Sequence, residues 1–369
     1  MIKALVVERD AVLQNLKVVR AKAANSAVIG VLKGNAYGLG LAETARMMRE
    51  AGIHLFAVTE PSDLSRLRDA GFTDESVLIL RSTAIASELE TIIDCGGTAT
   101  IGSYDAAVAA NSLAETLGTV LSVHIEIDTG MGRYGFLPNE SNKVISVFRY
   151  MKNLHITGMY THFANAFAPG KAGEKAVRAQ FDAFMETVSA VREAGFDPGL
   201  LHAANSSALF RFPYTRLDAV RIGSAYTGRL PIRGNFGLRK TGHAECAVVE
   251  TRWIEKGTTI GYGSAYKARR RMRIAVIPLG SSDGFCLEKA HDVYTFTDTL
   301  HFMWQELKKF LRSPHRTVEI NGKTCKVLGH VGTLHTVADI TDLECNPGDM
   351  ARFEVNPLIA GTILPKRYI

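Results

Sequence analysis

Short apolar runs recur along the first 230 residues, and helical patterns fill the gaps between them. The runs are AVIGVL (27–32), HLFAV (54–58), SVLILR (76–81), TATI (98–101), LSVHIEI (121–127), HITGMY (155–160), LLHA (200–203) and DAVRI (218–222). Several are apolar without alternation, as strands covered on both faces should be. Between them, 41–52 carries apolar residues at helical spacing and ends at Gly52. The stretch 61–71 opens on Pro61 and closes on Gly71, the usual helix asymmetry. Stretches 103–118 and 175–195 read the same way. Eight strands alternating with helices predict an α/β barrel of the TIM-like (β/α)8 kind. An open doubly wound sheet would have fewer strands and a G-x-G-x-x-G after its first, which is absent.

Past residue 235 the texture changes. AECAVVETRWI, MRIAVIPLG, RTVEINGKTCKVLGHV and HTVADI read as strands. Asn321-Gly322 predicts a two-residue hairpin turn. One amphipathic helix is expected over 299–311. The pattern therefore predicts an N-terminal strand within 1–10, a barrel over 11–232 and a C-terminal mainly-β domain over 233–369. The first strand could pair with either domain.

Composition narrows the partners. Hydrophobic residues make up 46% and charged residues 22% of 369, ordinary for a globular protein. No run of 18 apolar residues would span a membrane. The N-terminus lacks the pattern of a signal peptide, so a cytoplasmic protein is expected. The five cysteines are widely spaced with no C-x-x-C, so neither a disulfide framework nor a metal site is expected. The net charge of +6 draws on KARRRMR (267–273). No nucleic-acid-binding pattern accompanies that run, so a solvated basic turn is the simpler reading. A basic rim could also attract an anionic substrate or a phosphate cofactor.

Lys33 stands out. It ends the first barrel run, and barrel chemistry sits at the C-terminal ends of strands. Desolvated there, its amine would have a depressed pKa and suit covalent attachment to an aldehyde cofactor. The competing reading is a lysine that snorkels out to solvent.

VLKGNAYGLG around Lys33 resembles the cofactor-lysine motif of the alanine racemase family, fold-type III enzymes that use pyridoxal 5'-phosphate on a barrel plus a β domain. The resemblance continues, in order, through IDTGMGRYGF (127–136), THFANA (161–166), HAANSS (202–207), RIGSAYTG (221–228) and GYGSAY (261–266). IPLGSSDG (277–284) and 327–343 match more weakly. The resemblance implies an isomerase that interconverts L- and D-amino acids. It also implies that the small substrate meets a homodimer with shared active sites.

By that resemblance, Lys33 binds the cofactor and serves as base or acid on one face of the substrate Cα. Tyr37 and Ser206 hold the phosphate, with the backbone around Gly223 and Ser224. Ser206 could equally cap the helix that follows it. Arg221 faces the pyridine nitrogen. An arginine keeps its proton, so the ring nitrogen stays unprotonated and the electron sink weak, which favours racemisation over decarboxylation. Tyr262, from the second subunit, works on the opposite face of Cα, because racemisation needs a base on each side. His162 sits near the cofactor ring, and His202 supports the site. For either histidine, a satisfied core residue is the alternative. Arg133 contacts the cofactor and the substrate carboxylate. Many family members place a carbamylated lysine seven residues before that arginine. Here Glu126 stands there, which predicts an Arg133–Glu126 pair.

The match weakens at the substrate pocket. Ser281 replaces a family tyrosine, Gly332-Thr333-Leu334 replaces Cys-Met-Asp, and Pro357 replaces a second tyrosine. Thr333 is the expected substrate contact through its backbone. Alanine is the default substrate; serine or a larger amino acid would fit a wider entrance. A pyridoxal-phosphate lyase or decarboxylase, or a non-catalytic binder of the cofactor, are the readings of another class.

Overall fold

The computed structural model describes residues 2–287, 296–312 and 316–369. The chain forms two compact units, Glu8–Thr241 and Met1–Val7 joined with Gly242–Ile369.

The first strand, β1 (Lys3–Val7), belongs to the second of these units. The other unit is built on eight strands: β2 (Ala27–Val31), β3 (Leu55–Val58), β4 (Ser76–Ile79), β5 (Ala99–Ile101), β6 (Leu121–Ile127), β7 (Leu154–Thr161), β8 (Leu200–His202) and β9 (Ala219–Ile222). They form one parallel sheet in the order β4-β3-β2-β9-β8-β7-β6-β5. A parallel bridge between Leu78 and Thr98 joins β4 to the approach of β5 and nearly closes the barrel. Ile29, Val31, Ala57, Leu78, Tyr160 and Ala219 pack together as a core cluster.

Each strand lies within two residues of its apolar run, because continuous apolar runs have to be covered on both faces. The helices Leu41–Glu50, Pro61–Asp69 and Tyr104–Thr116 also follow the pattern. One helix starts earlier than expected, spanning Gly170–Glu193 rather than 175–195. Gly170 and Gly173 read as breakers, but Gly173 is needed inside the first turn. A Cβ there would lie 2.4 Å from the Ala168 carbonyl oxygen.

Strand β6 departs from regularity where it matters for the site. Its register against β7 slips between Val123 and His124. His124 and Glu126, two residues apart, share one face of the strand and are both buried.

In the C-terminal unit the strands are β10 (Gly242–Ala247), β11 (Glu250–Ile254), β12 (Thr259–Ile260), β13 (Tyr266–Lys267), β14 (Met272–Ile277), β15 (Thr317–Ile320), β16 (Lys323–Lys326), β17 (Thr336–Asp339), β18 (Met350–Phe353) and β19 (Lys366–Tyr368). A six-stranded sheet runs β16-β15-β18-β10-β1-β19, and β11-β14-β17 form a second. Strand β1 pairs antiparallel with β10 and parallel with β19. Asn321 and Gly322 both have positive φ (48° and 73°) between Ile320 and Lys323, as a type I′ turn requires. The amphipathic helix spans Phe296–Arg312.

The basic run forms β13, a turn and the start of β14. Arg270 pairs with Asp342 at 3.7 Å and Arg271 with Glu255 at 3.2 Å. Arg273 donates to the Cys345 carbonyl at 2.9 Å. These arginines serve their own unit. No helix among the described residues is long and apolar enough to cross a membrane.

Candidate active site

A cavity of about 530 Å³ opens at the C-terminal ends of the barrel strands. Lys33, Tyr37, Glu126, Arg133, His162, Ser206, Arg221, Gly223 and Ser224 all line it.

Lys33 follows β2 directly and begins a single left-handed turn. Gly34, Asn35 and Ala36 have φ of 60°, 54° and 55°, with ψ of 45° to 50°. Left-handed backbone costs a non-glycine residue about 1–2 kcal/mol, so the turn must be held from outside. Leu32 O accepts from Ala36 N–H at 2.7 Å, Gly34 O from Gly38 N–H at 2.9 Å, and Asn35 Oδ1 from Leu41 N–H at 2.9 Å. The turn places Lys33 and Tyr37 together, with the amine 6.0 Å from the Tyr37 ring centre. The Lys33 side chain reaches into the open cavity, yet the surrounding protein desolvates its amine. Burial, then the charges of Arg133 and Arg221, hold its pKa below the ordinary lysine range.

Arg221 rises from β9 and is 3% exposed. One terminal nitrogen donates to His202 Nδ1 (2.6 Å) and His202 O (2.9 Å). The other donates to Thr161 O (2.6 Å) and Ala203 O (3.3 Å). A guanidinium has five N–H groups. The one on Nε meets no acceptor among the described residues and remains for whatever fills the cavity. Burial lowers the Arg221 pKa to about 10, which still leaves it charged at neutral pH. His202 is therefore a hydrogen-bonded partner of Arg221 and does not line the cavity.

The expected Arg133–Glu126 ion pair does not form. Asp128 explains why. Its carboxylate accepts the N–H groups of Gly130, Met131, Gly132 and Arg133 at 2.7–3.1 Å. Burial alone would raise its pKa, but those donors outweigh it and hold the carboxyl low. The loop so organised leaves Arg133 exposed, its guanidinium 5.5 Å from the Tyr134 ring centre. Glu126 stays on β6, buried, with Oε2 lacking any hydrogen-bond partner. Burial pushes its pKa up to about 7, against the pull of Arg221, the Tyr160 hydroxyl and Arg133.

On the far side of the cavity, Ser206 Oγ accepts the N–H groups of Gly223 (3.0 Å) and Ala225 (3.3 Å). Ser206 is not the helix cap: Asn205 is, accepting from Ala208 N–H at 3.0 Å. A Cβ on Gly223 would lie 2.1 Å from the Tyr37 hydroxyl oxygen, so only glycine lets that hydroxyl approach. Burial raises the Tyr37 pKa to about 12.

The chain matches the family model described as alanine racemase, N-terminal domain, over residues 7–231. It also matches the one described as alanine racemase, C-terminal domain, over residues 243–356. This chain belongs to the alanine racemase family. It is 28% identical to an alanine racemase of Methanococcus maripaludis, covering 93% of this chain and 86% of that one. It is 32% identical to one of Carboxydothermus hydrogenoformans, covering 91% and 85%. Among solved structures, an alanine racemase of Clostridium difficile 630 shares the fold at a TM-score of 0.84 and 23% identity, covering 100% of this chain and 96% of that one.

The other residues that the alanine racemase family pattern singles out lie in the C-terminal unit. Tyr262 is 82% exposed between Gly261 and Gly263, both at positive φ (78° and 64°). Ser281 N–H donates to Gly332 O at 3.0 Å, and Ser282 Oγ to Thr333 O at 2.7 Å. Those bonds tie the Ser281 turn to the Thr333-Leu334 loop. Leu334 is exposed and Pro357 buried, the latter opening the helix Pro357–Ile363.

Sequence reasoning missed His124, Tyr160 and Thr161. His202 Nε2 lies 2.9 Å from His124 Nδ1, and the Tyr160 ring stacks on His202 at 4.8 Å. The signal was available in LSVHIEI, where two ionisable residues stand two apart in an otherwise apolar strand.

The buried ionisable groups predict the pH dependence of stability. Burial, then Arg221, lowers His124 to about 4 and His162 to about 3, and holds His202 well below its ordinary range. Their stabilising contribution is complete above pH 6.5 and is lost progressively as pH falls from there toward their folded values of about 4 and 3. Glu126 acts oppositely: its contribution is present below its ordinary 4.5 and is lost as pH rises to about 7. Three histidines outweigh one carboxyl, so the thermal midpoint should rise from pH 5 to pH 6.5, and Glu126→Gln should steepen that rise. A flat or falling profile would contradict the assignment.

Proposed function

We propose that this chain is a pyridoxal-phosphate-dependent racemase whose default substrate is alanine, acting as a homodimer with shared sites. The single observation that carries the reading is Arg221: a permanently charged guanidinium, fixed by four acceptors, with one N–H left for the cavity. That donor suits the lone pair of an unprotonated pyridine nitrogen. The desolvated Lys33 amine and the close approach of the Tyr37 hydroxyl to Gly223 suit the rest of the cofactor. A lyase or decarboxylase would be better served by a carboxylate at Arg221.

Lys33 would hold the cofactor covalently, and Tyr37, Ser206 and the Gly223-Ser224 backbone would hold its phosphate. When bound, pyridoxal phosphate supplies an electrophilic carbon and an electron sink for the pair left at Cα. Lys33 Nζ moves the proton on one face of Cα, aided by a pKa drawn down toward the working pH. Tyr262 Oη of the second subunit serves the other face; its exposure on an isolated chain supports that role. Arg133, which lines the cavity, would receive the substrate carboxylate. His162, neutral at pH 7, lines the cavity and would face the cofactor without adding charge.

A panel of single L-amino acids, scored for D-product by chiral chromatography, tests the reading. D-alanine as the fastest product supports it. Faster turnover of serine or a longer side chain would mean that Ser281, Leu334 and Pro357 have retuned the entrance; no product from any substrate would overturn it. Sharing of sites has its own test. Mixing Lys33→Ala and Tyr262→Phe subunits should restore about a quarter of full activity, because each mixed dimer regains one intact site. No recovery on subunit exchange would contradict the shared site.

One further variant tests the cofactor cradle. Gly223→Ala should weaken pyridoxal phosphate binding by about tenfold or more, since the new methyl displaces the Tyr37 hydroxyl and with it a hydrogen bond to a charged group worth roughly 1.5–3 kcal/mol. Fluorescence titration of the cofactor measures it, and an unchanged Kd would remove Tyr37 from the phosphate site.

A further inference from the structure

We propose that His124 is a positioning residue for the reaction: it fixes the tautomer and orientation of His202, and through His202 the guanidinium of Arg221. The inference rests on the reading of Arg221 given above.

The argument is one of donors and acceptors. An arginine only donates. The 2.6 Å contact from Arg221 therefore requires a lone pair on His202 Nδ1. The proton of the neutral ring must then sit on Nε2. That N–H points at His124 Nδ1, 2.9 Å away, which must in turn accept. The proton of His124 is thereby placed on its own Nε2. A single orientation of hydrogens satisfies the row, and Arg221 sets it from one end while His124 anchors the other. With the acceptor at His124 removed, the Arg221 contact alone favours the proton on His202 Nε2, and that N–H is left buried without its acceptor. The other tautomer would aim an N–H at the guanidinium, donor against donor, and push Arg221 from its place.

The chain is shaped to put His124 there. The register slip between Val123 and His124 falls at this residue. Such irregularities re-aim a side chain, and they recur beside active sites. Facing it, Gly158 leaves room for the ring. A Cβ at that position would lie 2.7 Å from His124 Cε1 and 2.8 Å from Nε2. His202 is held flat between this partner and Tyr160, whose ring is inclined to it by 12°. Burial keeps both imidazoles neutral, so the lone pairs the row depends on are present at pH 7.

Two substitutions separate positioning from packing. His124→Leu fills the space without an acceptor, whereas His124→Asn offers an amide oxygen near the position of Nδ1. In the cofactor-loaded protein, His124→Leu should lower kcat for alanine by about tenfold to a hundredfold, by analogy with losing the hydrogen-bonded partner that orients a metal-ligating histidine. Its KM should stay within about twofold, because the substrate carboxylate is held elsewhere. His124→Asn should retain most of the activity. Imidazole nitrogen-15 spectra provide a readout independent of turnover: in the unaltered holoenzyme both rings should be protonated on Nε2 alone. His202 should keep that pattern in His124→Asn and lose it in His124→Leu.

Equal kcat in His124→Leu, or a proton on His202 Nδ1 in the unaltered protein, would overturn the proposal. Should His124→Leu fail to fold, a folded His124→Asn protein with most of its activity lost would also overturn it. A protein that neither binds pyridoxal phosphate nor racemises alanine would overturn the functional reading, and the positioning role with it. A racemase indifferent to His124 overturns the role alone.

Discussion

Lys33→Ala should lower kcat by about 10⁴-fold or more, the scale of losing a catalytic nucleophile, with no loss of folded stability. The neighbouring histidine, tyrosine and arginines cannot take over the amine's work. His162 is neutral and held at about 3, so it is a feeble base. Tyr37 is pushed up to about 12 and keeps its proton at neutral pH. Arg133 and Arg221 are cations that cannot accept one. Stability should hold, or rise slightly, because the Lys33 amine faces two like charges and its side chain ends in the open cavity. Steady-state racemisation and a thermal melt on the same preparation give both numbers. Residual activity within a hundredfold of the parent would remove Lys33 from the chemistry.

Arg221→Lys should be costly to both fold and reaction. The guanidinium fork serves His202 Nδ1 and the carbonyl oxygens of His202, Thr161 and Ala203 together. A lysine ammonium has three donors on a flexible stem and cannot meet that planar set. At least one acceptor is then left buried and unpaired, and each orphaned group costs about 1–3 kcal/mol. With two unsatisfied groups the loss is about 2–6 kcal/mol. For a unit of some 230 residues this lowers the thermal midpoint by roughly 2–4 °C per kcal/mol. The cavity also loses the N–H that Arg221 presents to it, so turnover should fall alongside. A stable and fully active Arg221→Lys protein would show that the fork has no role in either.

The barrel was legible because its strands are covered on both faces and so read as unbroken apolar runs. Partner choice was not. IKALVVE reads plainly as a strand, but its apolar period carries no address, and its place between β10 and β19 follows from chain contacts 235 or more residues away. The motif residues around Lys33, Arg221 and Gly223 were legible from family resemblance. Their local reasons were not: the left-handed turn after Lys33 has only Gly34 as a sequence signal, while Asn35 and Ala36 are held at positive φ by their surroundings. The Arg133–Glu126 pair was misread because spacing along a strand and loop does not reveal that Asp128 gathers the loop's N–H groups while the Arg133 guanidinium lies over Tyr134. Ser206 could have been either a cap or a cavity ligand; the neighbouring Asn205 took the cap. His124 was not singled out because its meaning lies in a hydrogen bond to His202, 78 residues along the chain.

The most direct measurement is to incubate the pyridoxal-phosphate-loaded protein with L-alanine in heavy water and score chirality and Cα deuterium together. The account predicts D-alanine carrying deuterium at Cα, since the proton returned by the second base comes from solvent. Recovered L-alanine without deuterium, from protein with bound cofactor, would contradict it.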